Sequence, residues 1–263
     1  MPFSHQILRP KRPVQSVKSR QPRYRIWIPC ALASLLLGHS VQAQTYTWTE
    51  YTNGTPQAAI TRSWGDAGNW FGGSVYVSGA GNELEFFDNT TTRLEQEGSL
   101  TINGVPAALS MNTITFNGRG PNNPFGTAIL IGDNTSTWTI GDGTTSIIRQ
   151  NAAAGGGGDR YVNYTLGANI MLNQANTIFT GNGGGPQGLV FTGNIGETAG
   201  GYAIAKTGNH ILRLEGTNTY TGATRISGGT LRLGNANALP GGIGSTGGTS
   251  ELILTGGVLE LSG

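Results

Sequence analysis

Residues 212–240 read LRLEGTNTYTGATRISGGTLRLGNANALP. The tripeptide Leu-Arg-Leu stands at Leu212–Leu214 and again at Leu231–Leu233, and a third copy of the pattern, Leu259-Glu260-Leu261, follows. In an extended strand alternate side chains face opposite sides, so the leucines share one face while Arg213, Arg232 and Glu260 point to solvent. One such strand cannot bury its leucines alone. Stacking successive coils about 4.8 Å apart buries them in a column and pairs each backbone with its neighbours. Asparagines at the turns can stack in ladders of their own. A short strand recurring at intervals of about 20 to 30 residues is the mark of a solenoid. Coils of roughly 20 to 28 residues hold three short strands each, which predicts an all-β, right-handed parallel β-helix of about eight to eleven coils. An antiparallel β-sandwich also suits short strands and turns. The reuse of Gly-Gly-[Thr/Val]-Leu-x-Leu at Gly228 and Gly256 favours the solenoid, because a sandwich has no reason to repeat one strand-entry motif.

Along the rest of the chain from Tyr161 the spacing is similar. Tyr161–Leu166, Ala168–Leu172, Thr177–Phe179, Leu189–Thr192, Tyr202–Ala205, Ala223–Ile226, Glu251–Leu254 and Val258–Leu261 read as further strands. Glycine interrupts nearly every window, and apolar residues at helical spacing never persist beyond two turns, so almost no helix is expected after residue 43. Between residues 121 and 160, Ile131-Gly-Asp-Asn-Thr is echoed by Ile140-Gly-Asp-Gly-Thr, and the stretch ends in a turn or insertion at Gly155–Gly158. Residues 44–120 are the least repetitive. They hold Trp48, Trp64 and Trp70, and strand-like runs at Glu83–Phe87, Ser99–Asn103 and Asn112–Asn117. Asn53-Gly54, Asn103-Gly104 and Asn117-Gly118 are turn dipeptides.

The stretch Met1–Arg25 carries seven Lys/Arg and no acid, Ile26–Leu37 is apolar, and Val41-Gln42-Ala43 supplies small residues. That order predicts a secretory signal peptide over residues 1–43, cut after Ala43. The apolar run is shorter than the roughly 20 residues a spanning helix needs, and it contains Pro29. Cys30 sits too early in the run for a lipidated cysteine. Without residues 1–43 the chain keeps nine basic and 14 acidic residues, so the formal charge of +2 becomes −5 and nucleic-acid binding loses its footing. Cys30 is the sole cysteine, so the exported part has no disulfide to lean on. Glycine fills 43 of its 220 positions; interleaved with β-branched residues, that abundance favours many short strands joined by tight turns.

At Leu214, Gly216, Asn218, Tyr220, Gly222, Thr224, Ile226, Gly229, Leu231, Leu233 and Gly234 the chain resembles the autotransporter-associated beta-strand repeat family, also called the passenger-associated transport repeat. Trp48 and the Gly65-Asp-Ala-Gly-Asn-Trp70 segment are similar to the N-terminal region of exported proteins that carry these repeats. The resemblance implies a β-helical passenger of a secreted or outer-membrane-associated protein. It brings no catalytic residues. A complete autotransporter ends in an amphipathic outer-membrane barrel. No such pattern follows here, and the expectation is a truncated stack whose translocator or anchor is not present in this chain.

Chemistry finds little purchase. A Ser-His-Asp triad would have to use His210, which is expected to be a solvent-facing turn residue. A zinc site has too few His and Cys ligands. The carboxylate pairs Glu83/Glu85 and Glu95/Glu97 could hydrolyse glycans, but a spacing of two is also that of a solvated strand face. Asp133, Asn134 and Asp142 offer oxygen ligands for calcium, although Asx turns account for them and they do not match a calcium-binding nonapeptide array. Gly181–Gly185 does not lead from a strand into a helix, so phosphate binding is unsupported. Trp48, Trp64, Trp70 and Trp138 are expected to close the N-terminal end of the helix, with stacking on sugar rings as the competing role.

The chain is thus expected to hold a signal peptide at 1–43, a cap with first coils at 44–120, Gly-rich coils or an insertion at 121–160, and β-helix repeats at 161–263. The function expected is that of a non-enzymatic exported passenger or stalk, a rod about 40 to 50 Å long at strand spacing, with an adhesive role and an unknown surface or glycan ligand. Export machinery engaging the signal peptide is the other expected partner; nucleic acid, metals and cofactors are not expected. The alternative is a carbohydrate-binding or polysaccharide-cleaving β-helix.

Overall fold

The computed structural model describes residues 43–49, 59–87, 99–118, 127–142, 145–152, 162–183, 188–240 and 250–262. Residues 1–42 of the expected signal peptide, Glu95, Glu97 and Gly155–Gly158 lie outside the described residues. Gln42–Gly263 forms one compact unit.

That unit is a parallel β-helix of eight coils. The first carries β1 (Thr45–Trp48) and β2 (Ala59–Ser63), and the second β3 (Glu83–Phe86), β4 (Ser99–Asn103) and β5 (Ala108–Met111). The third has β6 (Thr113–Phe116), β7 (Thr127–Ile131) and β8 (Thr137–Ile140), and the fourth β9 (Ser146–Gln150), β10 (Val162–Leu166) and β11 (Asn169–Leu172). β12 (Asn176–Gly181), β13 (Leu189–Phe191) and β14 (Ile195–Glu197) make the fifth. The last three coils hold two strands each among the described residues: β15 (Ala203–Lys206) with β16 (Ile211–Leu214), β17 (Thr224–Ile226) with β18 (Thr230–Leu233), and β19 (Leu252–Leu254) with β20 (Val258–Leu261).

The first strand of every coil joins one eight-stranded sheet and the second strand joins another, while β5, β8, β11 and β14 form a four-stranded third wall. Every pairing between these strands is parallel; among the described residues the single antiparallel bridge, Trp48 to Trp70, lies outside the ladders. The expectation of three strands per coil therefore holds only in coils two to five. At about 4.8 Å per coil, eight coils span roughly 35–40 Å, shorter than the rod expected. Coil length varies along the axis, longest at the aromatic end, shortest at the Leu-Arg-Leu repeat and longer again in the last coil, where Thr230 pairs with Val258, 28 positions on. Ala59 pairs with Ser99, 40 positions on, whereas Leu212 pairs with Leu231, 19 positions on.

Strand alternation builds the core. Leu212 and Leu231 are fully buried and in register, with Arg213 over Arg232 on the outer face. Each such leucine contributes about 1.5–3 kcal/mol through burial. Toward the N-terminus the filling is aromatic. The rings of Phe86 and Phe116 stack at 5.4 Å and 4° between planes, and Tyr164 follows at 4.9 Å from Phe116. The Tyr164 hydroxyl donates to the Asn117 carbonyl.

The two ends differ. At the first coil, a short 3-10 turn (Ala67–Asn69) capped by the Asp66 side chain brings Trp70 against Trp48 and Trp64, with ring centroids 5.1 and 4.8 Å away. Trp70 Nε1 donates to the Trp64 carbonyl at 2.8 Å. Tyr76 packs edge-on against Trp64. At the last coil, Leu254 and Leu261 sit in the inward registers of Ile226 and Leu233, yet they are 51% and 61% exposed.

Candidate functional site

The tryptophans are not a sugar-stacking platform. Trp48, Trp64, Trp70 and Trp138 are at most 3% exposed, and Trp64 lies 6.0 Å from Trp138 inside the coil. They fill the N-terminal end of the helix, where a platform would need open faces. Glu83 and Glu85 do share one outer strand face. Thr45 and Thr47 donate to them at 3.0 Å from the neighbouring strand, and Asn117 donates to Glu85 at 2.7 Å. They act as rungs of a polar ladder. Asp133 and Asn134 occupy an exposed turn. The Thr135 hydroxyl and backbone N–H bond Asp133 and hold its carboxyl below the usual range. Asp133 borders an open cleft of about 320 Å³ with Asn103, Gly104, Val105 and Gly132. Asp142 follows a different strand of the same coil. Among the described residues no group of three or more His, Cys, Asp or Glu is placed to hold a metal.

The residues that stand out are those of the tightest coils, and each has a physical reason. Where the third wall stops at β14, Asn218 takes over its edge. Its Oδ1 accepts the Ile195 N–H at 2.7 Å, and its Nδ2 donates to the Ala238 carbonyl of the next coil at 2.6 Å. Tyr220 fills the interior that a third strand would have lined. It is fully buried, and its hydroxyl and that of Thr224 share a 2.6 Å hydrogen bond; burial raises its pKa. Gly216 passes so close to the preceding coil that a Cβ there would stand 2.2 Å from the Gly193 carbonyl oxygen. Outside this turn the corner continues as a ladder: Asn194 N–H to Asn169 Oδ1 at 2.9 Å, then Thr217 N–H to Asn194 Oδ1 at 2.8 Å.

One corner runs against the sequence reading. His210, expected to face solvent, is 2% exposed, and neither ring nitrogen has a hydrogen-bond partner. The turn between β15 and β16 folds inward because the Asn209 and His210 N–H groups both reach the Gly181 carbonyl of the coil before, at 2.8 and 3.3 Å. Beside it lies Lys206, fully buried, in a register occupied by Phe179 before it and Ile226 after it. Its ammonium donates to the carbonyls of Thr207 and Gly208 in its own turn and of Gly228 in the next, at 2.8, 3.0 and 3.0 Å. Burial pushes Lys206 down to about 8, while the three carbonyls favour its charged form. Burial, and then the Lys206 charge, push His210 down to about 3. Nothing in the spacing of the sequence marks this pair. The one available signal is Lys206 at the inward end of Ala-Ile-Ala-Lys, where alternation alone calls for an apolar residue.

A family model, the passenger-associated-transport-repeat, matches residues 204–233. The match starts in β15 and ends with β18, so it spans the two tightest coils and includes the Lys206–His210 corner. No curated protein and no solved structure matches the chain.

Proposed function

We propose that this chain is a non-enzymatic, exported β-helical passenger or stalk segment that holds loops away from a cell surface. The observation that carries this reading is that the passenger-repeat match coincides with coils of an uninterrupted eight-coil ladder. The role follows from the build. Two sheets run the full length of the stack, so load along the axis is shared by parallel backbone ladders. The long early coils supply connections that can vary without touching the ladder. Export machinery would act on residues 1–43.

The test is expression of the full chain, with a C-terminal epitope, in a bacterium that has an outer membrane. The expected result is cleavage after Ala43, recovery outside the cytoplasm, and a folded core that resists protease. An uncleaved chain retained in the cytoplasm overturns export. Release of reducing ends or unsaturated sugars from an acidic polysaccharide by the purified protein overturns the non-enzymatic role.

A further inference from the structure

The Lys206–His210 corner is unexplained by a purely mechanical role. Among the described residues these two are the only ionisable side chains of basic type that are buried, and no carboxylate is buried with them. The elements packed around the corner bring no counter-charge. β12 contributes Thr177, Phe179 and the Gly181 backbone, and the β17–β18 turn contributes carbonyls. Arg213 on β16, Arg225 on β17 and Arg232 on β18 stand on the outer face of their strands. Glu215 pairs outside with Arg213 at 2.7 Å, and Glu260 with Arg232 at 2.7 Å. The next carboxylate, Glu251, is exposed.

We propose that this corner is an acid-sensitive latch: uptake of one proton by His210 sets a second cation beside the Lys206 ammonium, expels the 207–210 turn, and unpairs β15–β16 from β17–β18. The proton comes from solvent and adds to the buried ring, where the Gly181 carbonyl offsets only part of what burial and the Lys206 charge oppose. Two neighbouring cations with no buried carboxylate are costly in the interior, and the imidazolium is better solvated by reaching water. When the turn leaves, the Lys206 bonds to the Thr207 and Gly208 carbonyls go with it, and so do the contacts with the Gly181 carbonyl. The corner ties three successive coils, so its opening is transmitted to the ladders on both sides.

Linkage fixes the direction. Burial and the neighbouring ammonium depress the folded-state value of His210 to about 3, below its ordinary value of about 6.5. The open form therefore binds the proton more readily throughout that window. Its population rises roughly tenfold for each pH unit below the ordinary value, and the latch is closed at neutral pH. This inference concerns the conformation of the purified chain and stands apart from the export reading.

The experiment is hydrogen–deuterium exchange of the full chain at about pH 7 and about pH 4.5, corrected for intrinsic exchange rates and resolved by peptide. Peptides covering Lys206–Thr230 are expected to lose protection at least tenfold on acidification, while those covering β3 to β8 hold theirs. Unchanged protection at the corner overturns the proposal, and so does an equal loss in every coil. His210→Leu is expected to abolish the local acid response; a response of wild-type size in that variant overturns it. Lys206→Met removes the neighbouring charge and is expected to move the loss to lower pH, whereas an unshifted loss overturns the coupling. Should either variant not fold, the pH dependence of the unaltered chain still decides.

Discussion

A single buried ammonium and a single absent methyl show how differently residues constrain this stack. Lys206 stabilises its corner through three carbonyl bonds but pays for its charge by desolvation. Replacing it with methionine removes both terms. The folded-state value is depressed, so the wild-type chain gains stability as pH climbs from about 8 toward the ordinary lysine value, where the unfolded chain binds the extra proton. The urea midpoint of wild type relative to Lys206→Met is therefore expected to rise between about pH 8 and about pH 10. Gly216 acts by shape alone. With the Gly193 carbonyl oxygen 2.2 Å from where a Cβ would be, Gly216→Ala is expected to cost about 1–3 kcal/mol or more in chemical denaturation, since two backbones must separate. Gly65 has no atom nearer than 4.0 Å to that position, and Gly65→Ala is expected to stay within about 0.5 kcal/mol.

Among elements, the turn that replaces the third wall matters more than the surface ion pairs. Asn218 is 4% exposed and satisfies an N–H of one coil and a carbonyl of another. Asn218→Ala strands both, at a cost of about 2–4 kcal/mol. Glu260 bonds Arg232 at 2.7 Å but its side chain is 43% exposed, so Glu260→Gln is expected to lower stability by less than about 1 kcal/mol. Parallel urea titrations of the two variants check the order. Legibility in the sequence follows the same line. From residue 161 onward short runs of apolar and β-branched residues locate nearly every strand, and β10, β11, β16 and β18 bury alternate side chains. β14 escapes, since Ile195-Gly196-Glu197 is short, has glycine at its centre and offers one apolar side chain. β1, β2, β5 and β7 to β9 lie where coils are longest, so no repeat length exposes them. The inward fold of His210 depends on a carbonyl of the preceding coil, a partner that local pattern does not reveal.

At the scale of the described unit, the first coil is filled with buried tryptophans and the last coil exposes leucines in core registers. Trp70 bridges Trp48 and donates its indole N–H to Trp64, and Trp70→Ala would leave a large void beneath the first coil. A loss of about 3–5 kcal/mol is expected in thermal or urea unfolding. Because Trp48, Trp64 and Trp138 are buried, their emission is expected to be blue-shifted in the unaltered chain and to move to the red in this variant as water enters. The opposite end presents leucines in core registers to solvent, and both long ladders reach it at β19 and β20.

The unequal length of the coils gives the chain a graded response under tension. When a solenoid is pulled at its ends, coils detach one at a time, and each adds its own extended backbone to the tether. The short coil between Leu212 and Leu231 yields about 65 Å, whereas the long one between Ala59 and Ser99 yields about 140 Å. An optical trap would therefore read the order of rupture from the extension of each step, with the shortest step belonging to the Leu-Arg-Leu coil and the longest to the aromatic end.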